Sequence, residues 1–359
     1  MFRSLTSFLS RIFKRGSRAR LYGFRTREEF DLILQIERHR ADRSDSVFSL
    51  LAFAPESEEV SEATYERLSD ILGRRLRTTD FTGWLDDHRI AATLPGTPPA
   101  GAWRLAEDLC RQFPETVPAP VCTILTYPTE GAQKELRRDS GRPPRPKQWA
   151  VQPMETLFTV KVSFWKRAFD IFAAGFGLVV LSPLLIVVAL AVKLTSKGPI
   201  FYSQPRSGQG GKPFRIYKFR SMVVDADERK KDLMAVNEQD GPAFKIKDDP
   251  RVTKIGRFLR KTSIDELPQL WNVLKGEMTL VGPRAMYCPE MEACSRWQRR
   301  RLDVRQGITC IWQVRGRSSV TFDEWMRMDM RYIGKRSLWK DIKLLLQTIP
   351  AVLFRRGAC

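Results

Sequence analysis

The sequence predicts an α+β protein in two parts: a small α/β sandwich first, then a mainly helical part that meets a membrane. Three observations predict it. Between about residues 26 and 130, helical and strand-like patterns alternate. Residues 171–194, IFAAGFGLVVLSPLLIVVALAVKL, carry no charge before Lys193. From Trp165 onward, basic and glycine-rich runs surround an Asp-Glu pair. At 359 residues the chain is long enough for two or more cores.

The first twenty residues, MFRSLTSFLSRIFKRGSRAR, hold six basic side chains and no acid. Phe2, Leu5, Phe8, Leu9, Ile12 and Phe13 recur at helical spacing. Residues 1–25 therefore read as a basic amphipathic segment suited to an anionic membrane surface, with a flexible basic tail as the alternative. No continuous apolar stretch follows, which excludes a secretory signal.

Residues 26–132 alternate in period. REEFDLILQIERHRA predicts a helix, VFSLLAFAP a buried strand and EATYERLSDILGRRLR an amphipathic helix. FTGWLDDHRIAATLPG predicts a hairpin, AGAWRLAEDLCRQF a helix and VCTILTYP a strand. Two helices on a small antiparallel sheet, a ferredoxin-like sandwich, is the economical architecture for that order. WLDDHRIAATLPGT followed by AGAWRLAEDL resembles the diguanylate-cyclase (GGDEF-type) domain. Where that family carries a glycine-rich turn, this chain has Asp86-Asp87-His88-Arg89-Ile90. The glycines that let backbone approach a nucleotide are missing. The resemblance thus implies a degenerate, regulatory domain, with His88 exposed in a turn. The proline- and charge-rich GRPPRPKQ at 141–148 marks a linker, drawn here over 133–160.

The apolar segment matches the ~20 residues that cross a bilayer. Lys166 and Arg167 precede it and Lys193 and Lys197 follow it, so the positive-inside rule selects no direction. Ser182-Pro183 stands at its centre, where proline breaks a helix. A broken helix that enters and leaves by one face agrees with two basic flanks. A plain span that tolerates its proline remains the alternative.

Net charge is +20, which points to anionic partners: nucleic acid, anionic membrane or phosphorylated substrate. The six cysteines form no CxxC pair and only two histidines accompany them. That pattern excludes a zinc finger and a disulfide framework and suits a reducing compartment. Any metal would take oxygen ligands, which favours magnesium.

Within TSIDELPQLWNV (262–273), Ser263-Ile264-Asp265-Glu266 fits a capping box, and Pro268 suits a first helical turn. Taken alone, this is an ordinary helix start. Its surroundings favour a reaction centre. GPIFYSQPRSGQGGKPFRIYKFRSM (198–222) places glycines at 208, 210 and 211 among basic residues 206, 212, 215, 218 and 220. The spacing is neither a Walker A loop nor GxGxxG, although such a run can hold phosphate. Arg251, Arg257, Arg260, Lys261 and Arg284 flank the acidic pair. Carboxylates among surplus cations suit phosphate-ester chemistry, in which cations neutralise oxygens while the acid attacks or holds magnesium. Helical neighbours point ~100° apart, so the two acids should do different work.

From Trp165 to the C-terminus the chain resembles the bacterial sugar transferase family, the monotopic polyprenyl-phosphate phosphoglycosyl transferases. KRAFD, LSPLL, the 198–222 run, SIDELPQLWNVLKGEMTLVGPR, RQGITCIWQVRGR and SLWKDIKLLLQTI carry the resemblance. It implies transfer of a sugar-1-phosphate from a UDP-sugar to polyprenyl (undecaprenyl) phosphate, with magnesium, to start exopolysaccharide synthesis. Asp265 would be the nucleophile that forms a covalent phosphosugar, and Glu266 its partner in metal or proton handling; both are candidate magnesium ligands. Lys218, Arg220, Arg260 and Arg284 are the expected phosphate contacts, and Arg315 and Arg317 contacts to nucleotide or sugar. Ser182 and Pro183 match the family's re-entrant break. The transferase domain is then 161–359, on the cytoplasmic face of the inner membrane.

Three departures stand out. Ala285 replaces the proline after GPR, Gln306-Gly307-Ile308-Thr309-Cys310 replaces PGITG, and the several N-terminal spans of larger members are not seen. The second lies in the stretch that the resemblance links to donor choice, so the sugar is left open. A nucleic-acid partner is disfavoured, having only net charge behind it. An inactive membrane scaffold is the remaining alternative, and a homo-oligomer is left open.

Overall fold

A computed structural model of the chain describes residues 22–55, 61–114, 116–128, 152–230, 232–238, 240–244, 246, 248–315 and 320–353. The basic segment 1–21, most of the linker and Arg317 lie outside the described residues. The chain divides into two units, Met1–Phe158 and Thr159–Cys359.

The first unit runs α1 (Arg27–Ser44), β1 (Phe48–Ala54), α2 (Ser61–Arg75), β2 (Phe81–Trp84), β3 (Ile90–Pro95), α3 (Pro99–Arg111), β4 (Val121–Tyr127) and β5 (Gln152–Pro153). Strand order is β2-β3-β1-β4-β5, antiparallel except for β4–β5. The stretch β1 to β4 is the expected βαββαβ order. Central β1, FSLLAFA, is buried on both faces because successive residues point opposite ways. Leu51 and Phe53 meet Leu68, Leu72, Ala106 and Leu109 of α2 and α3. Phe48, Leu50 and Ala52 meet Phe30, Leu34 and Ala41 of α1.

α1, also expected as a helix, covers the second face of the sheet and so adds to the two helices of the expected sandwich. A Thr26–Glu29 capping box starts α1. The domain boundary moves. β5 pairs with β4, and Met154 and Phe158 pack beside Phe48, so 152–158 belong to the first unit and not to a linker reaching 160. At the β2–β3 turn Asp86 accepts from the backbone of His88 (3.0 Å) and Arg89 (2.8 Å), while its other oxygen takes Arg89 Nε at 2.7 Å. A carboxylate thus closes the turn, and His88 is exposed.

The second unit is mainly helical. Its elements are α4 (Phe164–Val180), α5 (Ser182–Thr195), β6 (Phe201–Ser207), β7 (Pro213–Phe219), α6 (Lys254–Lys261), α7 (Gln269–Lys275), β8 (Thr279–Val281), α8 (Cys288–Glu292), β9 (Gly307–Thr309), α9 (Phe322–Lys335) and α10 (Leu338–Leu353). β6 and β7 form an antiparallel hairpin, while β8 and β9 pair in parallel. Gly282 and Gly307 meet across β8–β9 so closely that a Cβ on Gly307 would lie 2.1 Å from the Gly282 nitrogen. The glycines of GPR and QGIT are thus packing requirements.

Among the described residues no single helix is long and apolar enough to cross a membrane. α4 and α5 pass that test only together, bent by 62° at Leu181. Pro183 sits in the first turn of α5, and Ser182 Oγ donates to the Val179 carbonyl at 2.8 Å. Phe172, Phe176, Val179, Ile186, Val187 and Leu194 are exposed on the bent pair.

The sequence treats Lys166 and Arg167 as a basic membrane flank; the structure turns both inward. Arg167 donates to the carbonyls of Val273 (2.6 Å) and Leu274 (2.7 Å), filling acceptors that end α7. Gly276 closes that end at φ 85°, the left-handed region. Lys166 Nζ lies between Asp170 (3.2 Å) and Asp341 (2.8 Å). Asp170 also accepts from Thr279 Oγ1 at 2.6 Å and Leu280 N at 3.2 Å, so KRAFD is a buried clamp between α4, β8 and α10.

Candidate active site

The Asp265-Glu266 pair occupies a single 3-10 turn, Ile264–Glu266, between α6 and α7. Ser263 sits in the left-handed region (φ 56°) and its side chain caps nothing, so the expected capping box is absent. α7 begins at Gln269, after Pro268. The acids therefore precede the helix rather than filling its first turn. The tight turn sends them into different surroundings, as the sequence predicts.

Glu266 is held by cations. Lys218 Nζ donates to its Oε1 at 2.6 Å. Arg284 forks onto it, Nη1 reaching Oε2 at 3.2 Å and Nη2 reaching Oε1. Burial pushes the Glu266 carboxyl up, but Arg284 and Lys218 outweigh that and hold it well below the usual carboxylate range.

Asp265 is 6% exposed, and no hydrogen bond to its carboxylate is found among the described residues. Burial pushes it up to about 6, against the attraction of Lys218, Arg260 and Arg284. Desolvation dominates, and cations partly offset it.

Several buried groups aim these side chains. Asn272 of α7 accepts from Tyr217 N at 3.1 Å and donates to the Arg215 carbonyl at 2.7 Å, fixing β7 where it delivers Lys218. Arg301 donates to the Arg284 carbonyl at 2.7 Å and pairs with Asp329 at 2.7 Å, both fully buried. The sequence signals neither role, because the partners are 55 and 17 residues away along the chain. Arg206, read only as part of a basic run, interacts electrostatically with both Arg284 and Glu266.

The predicted site residues separate. Lys218, Glu266 and Arg284 are in contact, and Asp265 stands within their field. Arg260 also acts on Asp265 and donates to Ser221 Oγ at 3.1 Å. Arg220 is the correction. It donates to Ser196 O (2.8 Å), Ser196 Oγ (2.7 Å) and the Pro199 carbonyl, tying down the chain after α5 rather than facing the acids. Arg315 ends a short helix, Ile311–Arg315, and its side chain is outside the described residues.

A profile of the family described as bacterial sugar transferase matches residues 161–355. This chain belongs to the bacterial sugar transferase family. Among curated relatives of the transferase, a galactosyl transferase CpsE of Streptococcus agalactiae is 48% identical over 54% of this chain and 43% of its own. The undecaprenyl-phosphate galactose phosphotransferase of Salmonella typhimurium is 45% identical over 54% of this chain and 42% of its own. The exopolysaccharide production protein ExoY of Rhizobium meliloti is 38% identical over 54% of this chain and 87% of its own. The chain thus spans less than half the length of the first two relatives. For the N-terminal unit, a DGC protein from Thermotoga maritima is 18% identical with a TM-score of 0.27, over 32% of this chain and 94% of that one. That score is too low to establish a shared fold.

Proposed function

We propose that this protein transfers a sugar-1-phosphate from a UDP-sugar to polyprenyl phosphate, through a covalent aspartyl intermediate on Asp265. The observation that carries the reading is the contrast within the acidic pair. Glu266 is bound by Lys218 and Arg284, whereas Asp265 is buried beside the same cations with no hydrogen bond to its carboxylate among the described residues. A carboxylate that must attack phosphorus needs a free lone pair and nearby positive charge. The Salmonella relative, named as an undecaprenyl-phosphate galactose phosphotransferase, supports the same acceptor.

An Asp265 oxygen attacks the sugar-linked phosphorus of the donor. The P–O bond to UMP breaks, UMP leaves with that electron pair, and an acyl phosphate joins Asp265 to the sugar phosphate. An oxygen of polyprenyl phosphate then attacks the same phosphorus, returning the carboxylate and yielding a polyprenyl diphosphosugar. Arg284 and Lys218 neutralise the pentacoordinate oxygens in both steps, exchanging part of their hold on Glu266 for phosphate.

The acidic pair suits magnesium in kind, since that ion takes one or two protein carboxylates and fills its shell with phosphate and water. Among the described residues no group of three or more His, Cys, Asp or Glu side chains is placed to bind a metal. Asp265 and Glu266 would hold it, and its charge would further neutralise the diphosphate.

α4 and α5 are read as a re-entrant anchor on the cytoplasmic face of the inner membrane. α4 packs on α7 and α5 on α6, the helices that flank the Asp265 turn, so both arms are fastened to one body. If the 62° bend is shared equally, each arm lies about 31° from the membrane plane. Arms of 17 and 14 residues then reach about 13 and 11 Å deep, short of half a ~30 Å hydrocarbon core. Phe258 of α6 and Trp271 of α7 are exposed beside the same turn, as a lipid-facing site requires. The first unit is read as a cyclase-derived regulatory domain, on its βαββαβ order and its glycine-free turn.

Incubating membranes with radiolabelled UDP-sugars, magnesium and undecaprenyl phosphate tests the proposal. UMP release and labelled lipid are expected from wild type and not from Asp265→Asn. A fully active Asn variant would refute the nucleophile.

A further inference from the structure

A cavity of about 270 Å³ lies between the start of α4, the turn before β9 and the α9–α10 junction, and none of Asp265, Glu266, Lys218 or Arg284 lines it. Four cations do: Lys161, Lys166, Arg305 and Arg336. Asp341 is the one acid in its lining. That acid is already used, because its carboxylate takes Lys166 at 2.8 Å and Tyr332 Oη at 2.9 Å. Lys161 and Arg336 are exposed, and Arg336 has spent only Nη1, on the Ile333 carbonyl at 2.8 Å.

Arg305 is the informative member. It is half-buried, and no hydrogen bond or ion pair of its side chain is found among the described residues. It also stands beside another guanidinium. A Cβ at Gly276 would lie 3.3 Å from Arg167 Nη2 and 3.6 Å from Arg305 Nη1, so both cations flank one point. Arg167 is committed to the carbonyls that end α7. Asp170, the nearby acid, is committed to Lys166, Thr279 and Leu280. A partly desolvated guanidinium whose nearby acid is already committed elsewhere is a cost that a bound anion removes.

The rim says which anion. Trp165 on the first turn of α4 is 74% exposed and Trp339 on the first turn of α10 is 81% exposed. Each adjoins lining residues, Lys166 and Leu338 respectively. Further along, α10 exposes Leu346 and Ile349, and α4 exposes Phe172 and Phe176. Tryptophan beside cations at the base of apolar helices matches the headgroup layer of a bilayer.

We propose that this cavity binds the phosphodiester headgroup of an anionic glycerophospholipid, with Arg305, Lys161 and Arg336 as its donors and Trp165 and Trp339 at the acyl boundary. The inference rests on reading α4 and α5 as membrane-embedded. It assigns a second lipid site, apart from the reacting phosphates, that holds the transferase body at a fixed height over the bilayer.

Native mass spectrometry of the full chain in detergent tests it, using equal amounts of phosphatidylglycerol and phosphatidylcholine with matched acyl chains. Wild type should retain the anionic lipid preferentially, and each cation removed should cost about fivefold in that preference. Arg305→Ala should lower it by about that factor and Arg305→Lys keep most of it, with unchanged thermal unfolding. Should Arg305→Ala unfold, the Lys161→Ala/Arg336→Ala pair carries the same test from exposed positions. Equal retention of both lipids by wild type, or undiminished preference in the variants, would overturn the proposal. Displacement by micromolar inorganic phosphate would make the cavity a free-anion site, and preferential displacement by undecaprenyl phosphate an acceptor site; either result overturns the headgroup assignment. Failure of the re-entrant reading is seen separately, in the flank labelling described below.

Discussion

Lys218 Nζ lies 2.6 Å from Glu266 Oε1, joining the glycine-rich hairpin to the acidic turn across 48 residues. With Arg284 on the same carboxylate, two cations are pre-assembled at the place where a diphosphate must be neutralised. On the proposed reaction Glu266 would be a placeholder for phosphate, keeping the cations ordered and partly desolvated until substrate competes for them.

Removing that placeholder should be costly. Glu266→Gln leaves Lys218 and Arg284 facing each other without their anion. Loss of stability at the low end of ~3–5 kcal/mol is expected, since both cations keep some solvent contact. Chemical denaturation measures it, and an unchanged midpoint would contradict the placeholder role.

Asp265 should behave in the opposite sense. Its carboxyl is raised to about 6, so the folded state favours the protonated acid. Stability from that proton is present below the unfolded value near 3.8 and is lost as pH rises through 6. At neutral pH the ionised group is a burden of about 3 kcal/mol by linkage. Asp265→Asn should therefore stabilise the inactive protein, by on the order of 1–3 kcal/mol at pH 7.5 and less at pH 4. Differential scanning at the two pH values checks both the sign and the trend.

The same titration sets the acid limb of activity. A protonated Asp265 is a far weaker nucleophile than the carboxylate, so kcat/KM should fall about tenfold between pH 7 and pH 5, with unit slope below 6. Glu266 stays ionised throughout and adds no second slope. An acid limb that is flat down to pH 5 would remove Asp265 from the attacking role.

Membrane topology has a direct readout. Cysteines placed at Val162 and Lys197, in a cysteine-free background, flank α4 and α5. Both should react with an impermeant thiol reagent from the cytoplasmic side of sealed vesicles, and neither from the other side. Labelling from opposite sides would replace the re-entrant pair with a span.

The periodic parts of this fold are legible in the sequence. β1 reads as a buried strand because FSLLAFA is apolar but for Ser49, and α2 and α3 show their amphipathic repeats. β5 is not legible, since two residues carry no period. Nor is the second covered face, because α1 hides it with only Phe30, Leu34 and Ala41. At the site, Lys218 and Arg220 look equivalent in KFR. Lys218 is within β7, whereas Arg220 follows its last residue, Phe219, and turns toward Ser196. Lys166 and Arg167 look like a membrane flank until Asp341 and the Leu274 carbonyl, remote in sequence, reveal what they bind.

The Arg167 fork has a practical corollary for anyone seeking a water-soluble fragment. Residues 164–195 are the obvious ones to delete, yet they supply the guanidinium that closes α7 and the carboxylate of Asp170 that receives Thr279. A fragment starting after Thr195 would lose a wall of its own core, including Ala174, Val188 and Val192. Solubility should be sought by repainting the exposed apolar side chains Phe172, Phe176, Val179, Ile186 and Leu190, while the clamp is left in place.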